Sequence, residues 1–350
     1  MRVVHLIHSA KVGGVEAAAG LLRQRCTTLQ LRLAAFTTTG GTDRTIPVDF
    51  AARGLNNPIS LIQLVRYIRR QRPDILVTSL WRSTAVGFIA SALLPRTGWV
   101  VYLHNTRYTN VVDRILHTVA LRCADAVFCD SHATRSALVS PATRTPVYVV
   151  TPASAAVTEL QPPQRDERDA DTSNGNEIRL VFWGRLARQK RLDRAIELLA
   201  ELQCTHPGGA RLDIIGPDEG EAAGLTALAD RLGIADRFHR HEPCRPEEIA
   251  GLAAEADFFV QLSDYEGLGM AVREAMHLGL VPVVTPVGEI PAYATDGVNA
   301  ICSSADAQTL AQRVREVMTD PDRYRAAAQA VALPDFIGDF TSACREVSRA

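Results

Sequence analysis

The chain has 350 residues, 47% of them hydrophobic and 22% charged, with a formal net charge of −1. That length exceeds one ordinary core and predicts two domains of a soluble globular protein. No window approaches ~20 uninterrupted apolar residues, so no membrane span is expected. Seven cysteines at irregular spacing, without a Cys-x-x-Cys, argue against a disulfide frame or a zinc site and for reduced, packed thiols.

The first eight residues, Met-Arg-Val-Val-His-Leu-Ile-His, form too short an apolar run for a signal peptide. They read as a buried strand near 2–7, and the expected location is the cytoplasm. Gly13-Gly14-Val15-Glu16 follows directly. Two glycines before a helix let a ligand approach the backbone at the carboxyl edge of a sheet. A full Gly-x-Gly-x-x-Gly fingerprint is absent, which argues against a dinucleotide dehydrogenase.

Short apolar runs then alternate with amphipathic stretches, giving strands near 30–36, 75–79, 98–103, 125–129 and 146–150 with helices between. Trp81 and Arg82 follow one strand end, and His104 and Arg107 follow another. A histidine at a strand's carboxyl end serves either a ligand or the local structure. Asp130-Ser131-His132 reads equally as a helix cap or a site.

The stretch 161–176 is polar, contains Pro and Gly and lacks periodicity, as a linker does. Its Asp169-Ala-Asp171 does not read as a metal motif, because a divalent ion needs a rigid strand end. Beyond it, strands near 178–183, 211–215, 257–261, 281–284 and about 299–302 repeat the earlier rhythm. The expected fold is α/β with two doubly wound parallel sheets. The expected domains are 1–160, a linker 161–176, 177–333, and a returning helix in 334–350 marked by Phe336, Phe340 and Val347.

After the strand at 178–183, Gly184-Arg185-Leu-Ala-Arg-Gln-Lys190 opens a helix with apolar residues at Leu192, Ala195, Ile196 and Leu199. Strand, cationic loop, helix is the arrangement of a phosphate site. Arg185 offers a planar fork of donors and Lys190 a compact charge, so the pair suits a diphosphate without a divalent metal. Only Lys11 and Lys190 are lysines in the chain, every other basic residue being arginine. Both stand in glycine-adjacent loops, although Lys11 also reads as an ordinary exposed residue. His239 and His241, on one strand face without a third ligand, read as surface residues.

Residues 263–291 carry the strongest signal: Glu266 and Glu274 stand eight positions apart around Gly267-Leu268-Gly269-Met270, where a helix begins. Gly279 ends that helix and a buried strand follows. Two carboxylate acceptors beside a helix amino end suit a ligand with both hydroxyls and phosphate, such as a nucleotide-sugar.

This block resembles the Glu-x7-Glu signature of the retaining glycosyltransferases of family 4, which have the two-domain GT-B architecture. The resemblance is specific over about 178–302 and weaker over 1–150. It implies two Rossmann-like domains facing a central cleft, with the C-terminal helix crossing back to the first. By the resemblance, Glu274 takes the nucleotide ribose, Glu266 the sugar hydroxyls, and Gly267, Leu268, Gly269 and Met270 lie near the sugar and diphosphate. Gly184, Arg185 and Lys190 belong to the phosphate side, and Gly13 and Gly14 face it from the first domain. His104 then bonds the donor sugar or orients the acceptor, and Lys11, Trp81, Arg82 and Arg107 stand on the acceptor side. The implied reaction is metal-independent transfer of a hexosyl or N-acetylhexosaminyl group from a UDP- or GDP-sugar, without a cofactor. Alternatives on the same plan are a nucleotide-sugar 2-epimerase and a non-catalytic donor-binding protein. Two residues depart from the family pattern: Arg191 and Glu289 stand where glycine is usual.

The charge is divided between the halves. Residues 1–158 hold 18 basic and 7 acidic residues, and 159–350 hold 20 and 32. A basic first half predicts a lipid-linked or anionic acceptor and contact with an anionic membrane surface, and the partners expected are a nucleotide-sugar donor and a glycan or lipid-linked acceptor. Mutual attraction of the two halves is the plainer reading. Nucleic acid is not expected, since no binding motif accompanies the charge.

Overall fold

The computed structural model describes residues 1–10, 13–38, 46–153, 177–243 and 246–349. The expected linker, its two aspartates and Lys11 lie outside them. The chain divides into two compact units, Met1–Ser154 with Pro334–Ala350, and Ala155–Leu333.

In the first unit the elements run β1 (Arg2–Ser9), α1 (Gly14–Arg25), β2 (Gln30–Thr37), β3 (Phe50–Ala51), α2 (Pro58–Gln71), β4 (Ile75–Ser79), α3 (Trp81–Leu93), β5 (Gly98–Leu103), α4 (Val111–Cys123), β6 (Ala126–Cys129), α5 (His132–Leu138) and β7 (Val147–Val149). The sheet order is β3-β2-β1-β4-β5-β6-β7, all parallel. Its central strands are apolar on both faces because helices cover both. Val77, Val100 and Val127 are fully buried across three neighbouring strands.

Helix starts follow local chemistry. Asn57 accepts from the Ile59 amide ahead of α2, whose first residue is Pro58. Asn110 caps α4 through the Asp113 amide. Ser131 caps α5 through the Thr134 amide, so the cap alternative holds for that residue.

The second unit runs β8 (Ile178–Trp183), α6 (Leu192–Thr205), β9 (Ala210–Ile215), α7 (Ala222–Arg231), β10 (Phe238–His241), α8 (Pro246–Glu255), β11 (Phe258–Gln261), α9 (Met270–His277), β12 (Val281–Val284), β13 (Ile301–Cys302), α10 (Ala307–Val317) and α11 (Pro321–Gln329). Its sheet order, β10-β9-β8-β11-β12-β13, repeats that of the first unit and is again parallel. Phe182, Trp183 and Phe259 pack together at its centre.

The last helix, α12 (Phe336–Val347), belongs to the first unit. Phe340 packs on His5 and Phe128, and Thr341 meets Cys26 and Thr28. In both sheets the chain reverses direction between two central strands, β1 and β4 or β8 and β11. Ligands of doubly wound folds bind outside the carboxyl ends at that reversal. The loops after β1, β4, β8 and β11 are therefore the ones that position a site.

Candidate active site

In the second unit, β8 ends at Trp183 and the chain turns through Gly184, whose φ of 140° lies in glycine territory. A one-turn 3₁₀ helix, Arg188–Lys190, follows. The two ends of this segment reach the two glutamates. Trp183 Nε1 donates to Glu274 Oε2 at 2.8 Å, and Lys190 Nζ donates to Glu266 Oε1 at 2.8 Å. Lys190 and Glu266 are largely buried, with 13% and 8% of their side chains accessible. In that setting the cation and carboxylate are held as a charge-assisted hydrogen bond. A backbone bond from the Asp264 amide to the Gln189 carbonyl ties the same two loops together at 2.9 Å.

Gly269 in the Glu266 loop and Gly288 in the loop facing it are required by close packing. Gly269 has φ 75° and caps α9, and a Cβ there would lie 2.7 Å from the Tyr293 hydroxyl. That hydroxyl donates to the carbonyls of Leu268 and Gly269. Gly288, with φ 59°, sits so close that a Cβ would be 2.4 Å from the Glu266 carbonyl oxygen. The next amide, of Glu289, donates to the Gly267 carbonyl at 2.9 Å. Glu289, the second departure from the family pattern, is thus buried directly against the Glu266–Gly267 turn. At the other end of α9, the Gly279 amide bonds the Met276 carbonyl and the Leu280 amide bonds Ala275, a Schellman close.

Arg191 adopts a left-handed conformation (φ 48°, ψ 48°) ahead of α6. Its guanidinium is held by Asp193 and, at 3.2 Å, by Asp264. The side chain therefore fixes a backbone shape that glycine adopts without strain. Arg185 is exposed and pairs with Glu219 at 2.7 Å. Gly216 was missed in the sequence: a Cβ there would lie 1.8 Å from the Gly184 carbonyl oxygen. The signal was its place directly after a buried strand, matching Gly184 after β8.

The carboxyl edge of the first unit holds a second polar group. Gly13 caps α1 and Gly14 begins it. His104, after β5, has its Nε2 2.9 Å from Ser79 Oγ, and His5 Nε2 approaches the same hydroxyl at 2.8 Å. The hydroxyl donates to one ring and accepts from the other, so the two imidazoles hold complementary protons. Burial lowers His5 to about 4 and His104 to about 3, so both are neutral near pH 7. Leu80, next to Ser79, has φ 70° and ψ 158°, a conformation that non-glycine residues rarely take. This bend turns the chain into α3, where the Arg82 amide donates to His8 Nε2 at 3.0 Å. An amide can only donate, so that nitrogen carries no proton. Burial, then Arg82, lowers His8 to about 4.

Arg82 lies over the Trp81 ring at 4.1 Å and bonds Asn56. Below it, His117 Nδ1 meets Asp113 Oδ1 at 2.5 Å, and its Nε2 faces Thr84 Oγ1. Arg107 is exposed before α4. His5, His8, Ser79 and His117 had no local signature: each lies in an apolar strand or helix and is joined only by the fold. The structure thus brings together Lys190 with Glu266, Trp183 with Glu274, and His104 with Ser79. It keeps Arg185 on Glu219. His239 is exposed, and His241 pairs with Asp213 at 2.7 Å. Among the described residues no group of three or more His, Cys, Asp or Glu has the arrangement of a metal site.

Two doubly wound parallel units, the second with paired glutamates at its carboxyl edge, define a GT-B fold. The family model for glycosyl transferases group 1 matches residues 163–332, and that for glycosyltransferase family 4 matches 12–154. The chain belongs to the group 1 glycosyltransferases of family 4. Among curated relatives, the GDP-mannose:cellobiosyl-diphosphopolyprenol alpha-mannosyltransferase of Komagataeibacter xylinus is 33% identical over 48% of this chain and 40% of its own. The D-inositol 3-phosphate glycosyltransferase of Mycolicibacterium smegmatis is 28% identical over 73% of this chain and 61% of its own. The match to the first relatives spans only 33–40% of their length. Anabaena HepE, solved with UDP and glucose, superposes with a TM-score of 0.81 at 19% identity, covering 100% of both chains. WaaG, a glycosyltransferase of lipopolysaccharide biosynthesis, gives 0.71 at 16% identity over 99% of this chain and 100% of its own. At such identities these two structures speak for the fold.

Proposed function

We propose that this protein transfers a hexosyl or N-acetylhexosaminyl group from a nucleoside-diphosphate-sugar to an acceptor hydroxyl in glycolipid or polysaccharide synthesis. The observation that carries the proposal is the segment 183–190, whose two ends hold the two family glutamates, Glu274 through Trp183 and Glu266 through Lys190. Glu274 accepts from the ribose hydroxyls and Glu266 from the sugar. Lys190, with Arg185 swung from Glu219, takes the charge that builds on the leaving diphosphate. Such fixed cations lower the barrier electrostatically and make a metal unnecessary. Gly184 and the Gly267–Met270 turn leave room for the donor, and Gly13 and Gly14, at the start of α1, are the first unit's own candidates for a phosphate contact.

In the reaction the bond from the anomeric carbon to the diphosphate oxygen breaks and one to the acceptor oxygen forms. The acceptor proton leaves with the diphosphate. Configuration at the anomeric carbon is retained. His104, neutral and anchored on Ser79, offers a hydrogen bond to the sugar without adding charge. Trp81, Arg82 and Arg107 line the acceptor side. Relatives named as GDP-mannose enzymes favour a GDP-sugar and a transferase over an epimerase. The acceptor is lipid-linked, and the basic first unit works at the anionic inner face of the cytoplasmic membrane. No helix among the described residues is long and apolar enough to cross a membrane.

The test is incubation of GDP- and UDP-hexoses with the protein, with and without polyprenyl-diphosphate-linked sugar acceptors and with EDTA throughout. Transfer to the lipid fraction supports the reading. Isomerised donor without acceptor, or no turnover with any pair, overturns it.

A further inference from the structure

Eleven large apolar side chains are exposed among the described residues, and eight of them lie on α2, α3 and α4 of the first unit. These three helices form one layer. Each joins strands in the same direction across the sheet, so right-handed crossovers place them on one face, and α3 packs on both α2 and α4. On α2, Ile59 and Ile62 continue as one exposed stripe into Arg66, Arg69 and Arg70. On α4, Val111, Val112, Ile115 and Val119 share a stripe with Arg122. Ile89 and Leu93 extend the apolar surface along α3. The helices carry a single carboxylate, Asp113, which is buried on His117.

An exposed row of β-branched and aliphatic side chains is costly in water and marks a contact surface. Interspersed arginines without accessible acids select a partner that is apolar beneath an anionic surface. We propose that the α2–α3–α4 face is the surface by which this protein sits on a bilayer of anionic lipid. The aliphatic side chains enter the headgroup boundary and the guanidinium groups pair with lipid phosphates. Because helices of a doubly wound sheet run opposite to its strands, the amino ends of α2 and α4, with Ile59, Ile62, Val111 and Val112, meet the carboxyl edge where His104 and Arg82 stand. Docking on this face therefore brings the bilayer surface to that edge. The inference rests on the proposal that the acceptor is lipid-linked, and it assigns the face that reaches it.

The test is co-sedimentation with phosphatidylglycerol–phosphatidylcholine vesicles and with phosphatidylcholine vesicles. The variants are the triple Arg66→Glu/Arg69→Glu/Arg122→Glu, the single Ile115→Glu, and Arg231→Glu on α7 of the second unit as control. The wild type is expected to sediment with anionic vesicles only. The triple variant is expected to partition at least about a hundredfold more weakly, since each arginine near an anionic surface contributes roughly fivefold. Ile115→Glu, which leaves every arginine in place, should weaken binding to anionic vesicles at least about fivefold, since it takes an aliphatic side chain out of the headgroup boundary and adds a negative charge near an anionic surface. Arg231→Glu should match the wild type. Three results overturn the proposal: no sedimentation of the wild type, equal binding to neutral vesicles, or triple-variant binding like the wild type. A dimer in sedimentation velocity that Ile115→Glu converts to monomer, without vesicle binding, also overturns it and assigns the face to a second copy. UDP and GDP protection in melting, measured on the same variants, reports the donor site separately. Lost vesicle binding with intact protection removes only the membrane face, whereas lost protection in the wild type removes the transferase reading.

Discussion

Lys190 Nζ stands 2.8 Å from Glu266 Oε1, joining two loops of the second unit that are 76 positions apart in the chain. Both side chains are largely withdrawn from water, so each depends on the other. Lys190→Ala leaves a buried carboxylate without its cation and should destabilise the protein by about 3 kcal/mol. Lys190→Met combined with Glu266→Gln removes both charges and should cost less than Lys190→Ala alone. Urea unfolding of the three proteins checks the order, and a double variant worse than the single would contradict the coupling.

Trp183→Phe keeps the ring packing on Phe259 and removes the donor to Glu274. Hydrogen bonds to charged groups contribute about 1.5–3 kcal/mol. If Glu274 holds the nucleotide in the orientation set by Trp183, nucleotide affinity should fall roughly tenfold with the fold intact. Calorimetric titration measures this. Unchanged affinity means that the indole serves packing alone.

Gly216→Ala places a methyl group on the Gly184 carbonyl, at a φ of 149°. Strain and overpacking each cost about 1–3 kcal/mol, so unfolding of the second unit should be eased by about 3 kcal/mol. Gly220→Ala, with φ 103° and open space around its Cβ, carries the conformational cost without the collision. The difference between the two midpoints isolates the close approach.

Arg191 sets left-handed strain against its pairing with Asp193 and Asp264. Arg191→Gly relieves the strain and loses partly exposed ion pairs of about 1 kcal/mol, so its stability should stay within about 1 kcal/mol of the wild type. Arg191→Ala keeps the strain and loses the pairs, and should be about 1 kcal/mol less stable than Arg191→Gly. Equal stability of the two variants would show that the turn relaxes.

The architecture was legible because buried parallel strands are continuous apolar runs and glycines mark the turns at their ends. Residues 263–291 were the clearest, since loop, helix, Gly279 and strand are contiguous. The two-residue strand Phe50–Ala51 escaped, because a pair of edge residues has no periodicity. Pairings such as Trp183 with Glu274 were invisible, being separated by 91 positions. Leu80 and Arg191 are left-handed against their local preference, which sequence reading cannot anticipate. His5, His8 and Ser79 looked like ordinary strand residues until the sheet order brought β1, β4 and β5 together.

That histidine group predicts a pH dependence. His5 and His8 are lowered to about 4 and His104 to about 3, so the unfolded chain binds more protons than the native one below pH about 6.5. Their contribution is complete above that pH and is lost as the pH falls through 6.5 toward 4. The melting temperature should already drop between pH 6.5 and about 5.5, above the range in which ordinary carboxylates protonate, and drop less in His8→Gln. A flat profile from 7 to about 4.5 would contradict the burial of the three neutral rings.

The most direct test of the central claim is thermal melting with UDP and with GDP, each with EDTA, for the wild type and Glu274→Ala. A ligand at a hundred times its dissociation constant stabilises the native state by about 2.7 kcal/mol. The account predicts that one nucleotide raises the wild-type midpoint without metal and leaves Glu274→Ala unmoved. No shift with either nucleotide, or an equal shift in the variant, would mean that Glu266 and Glu274 do not form a donor site.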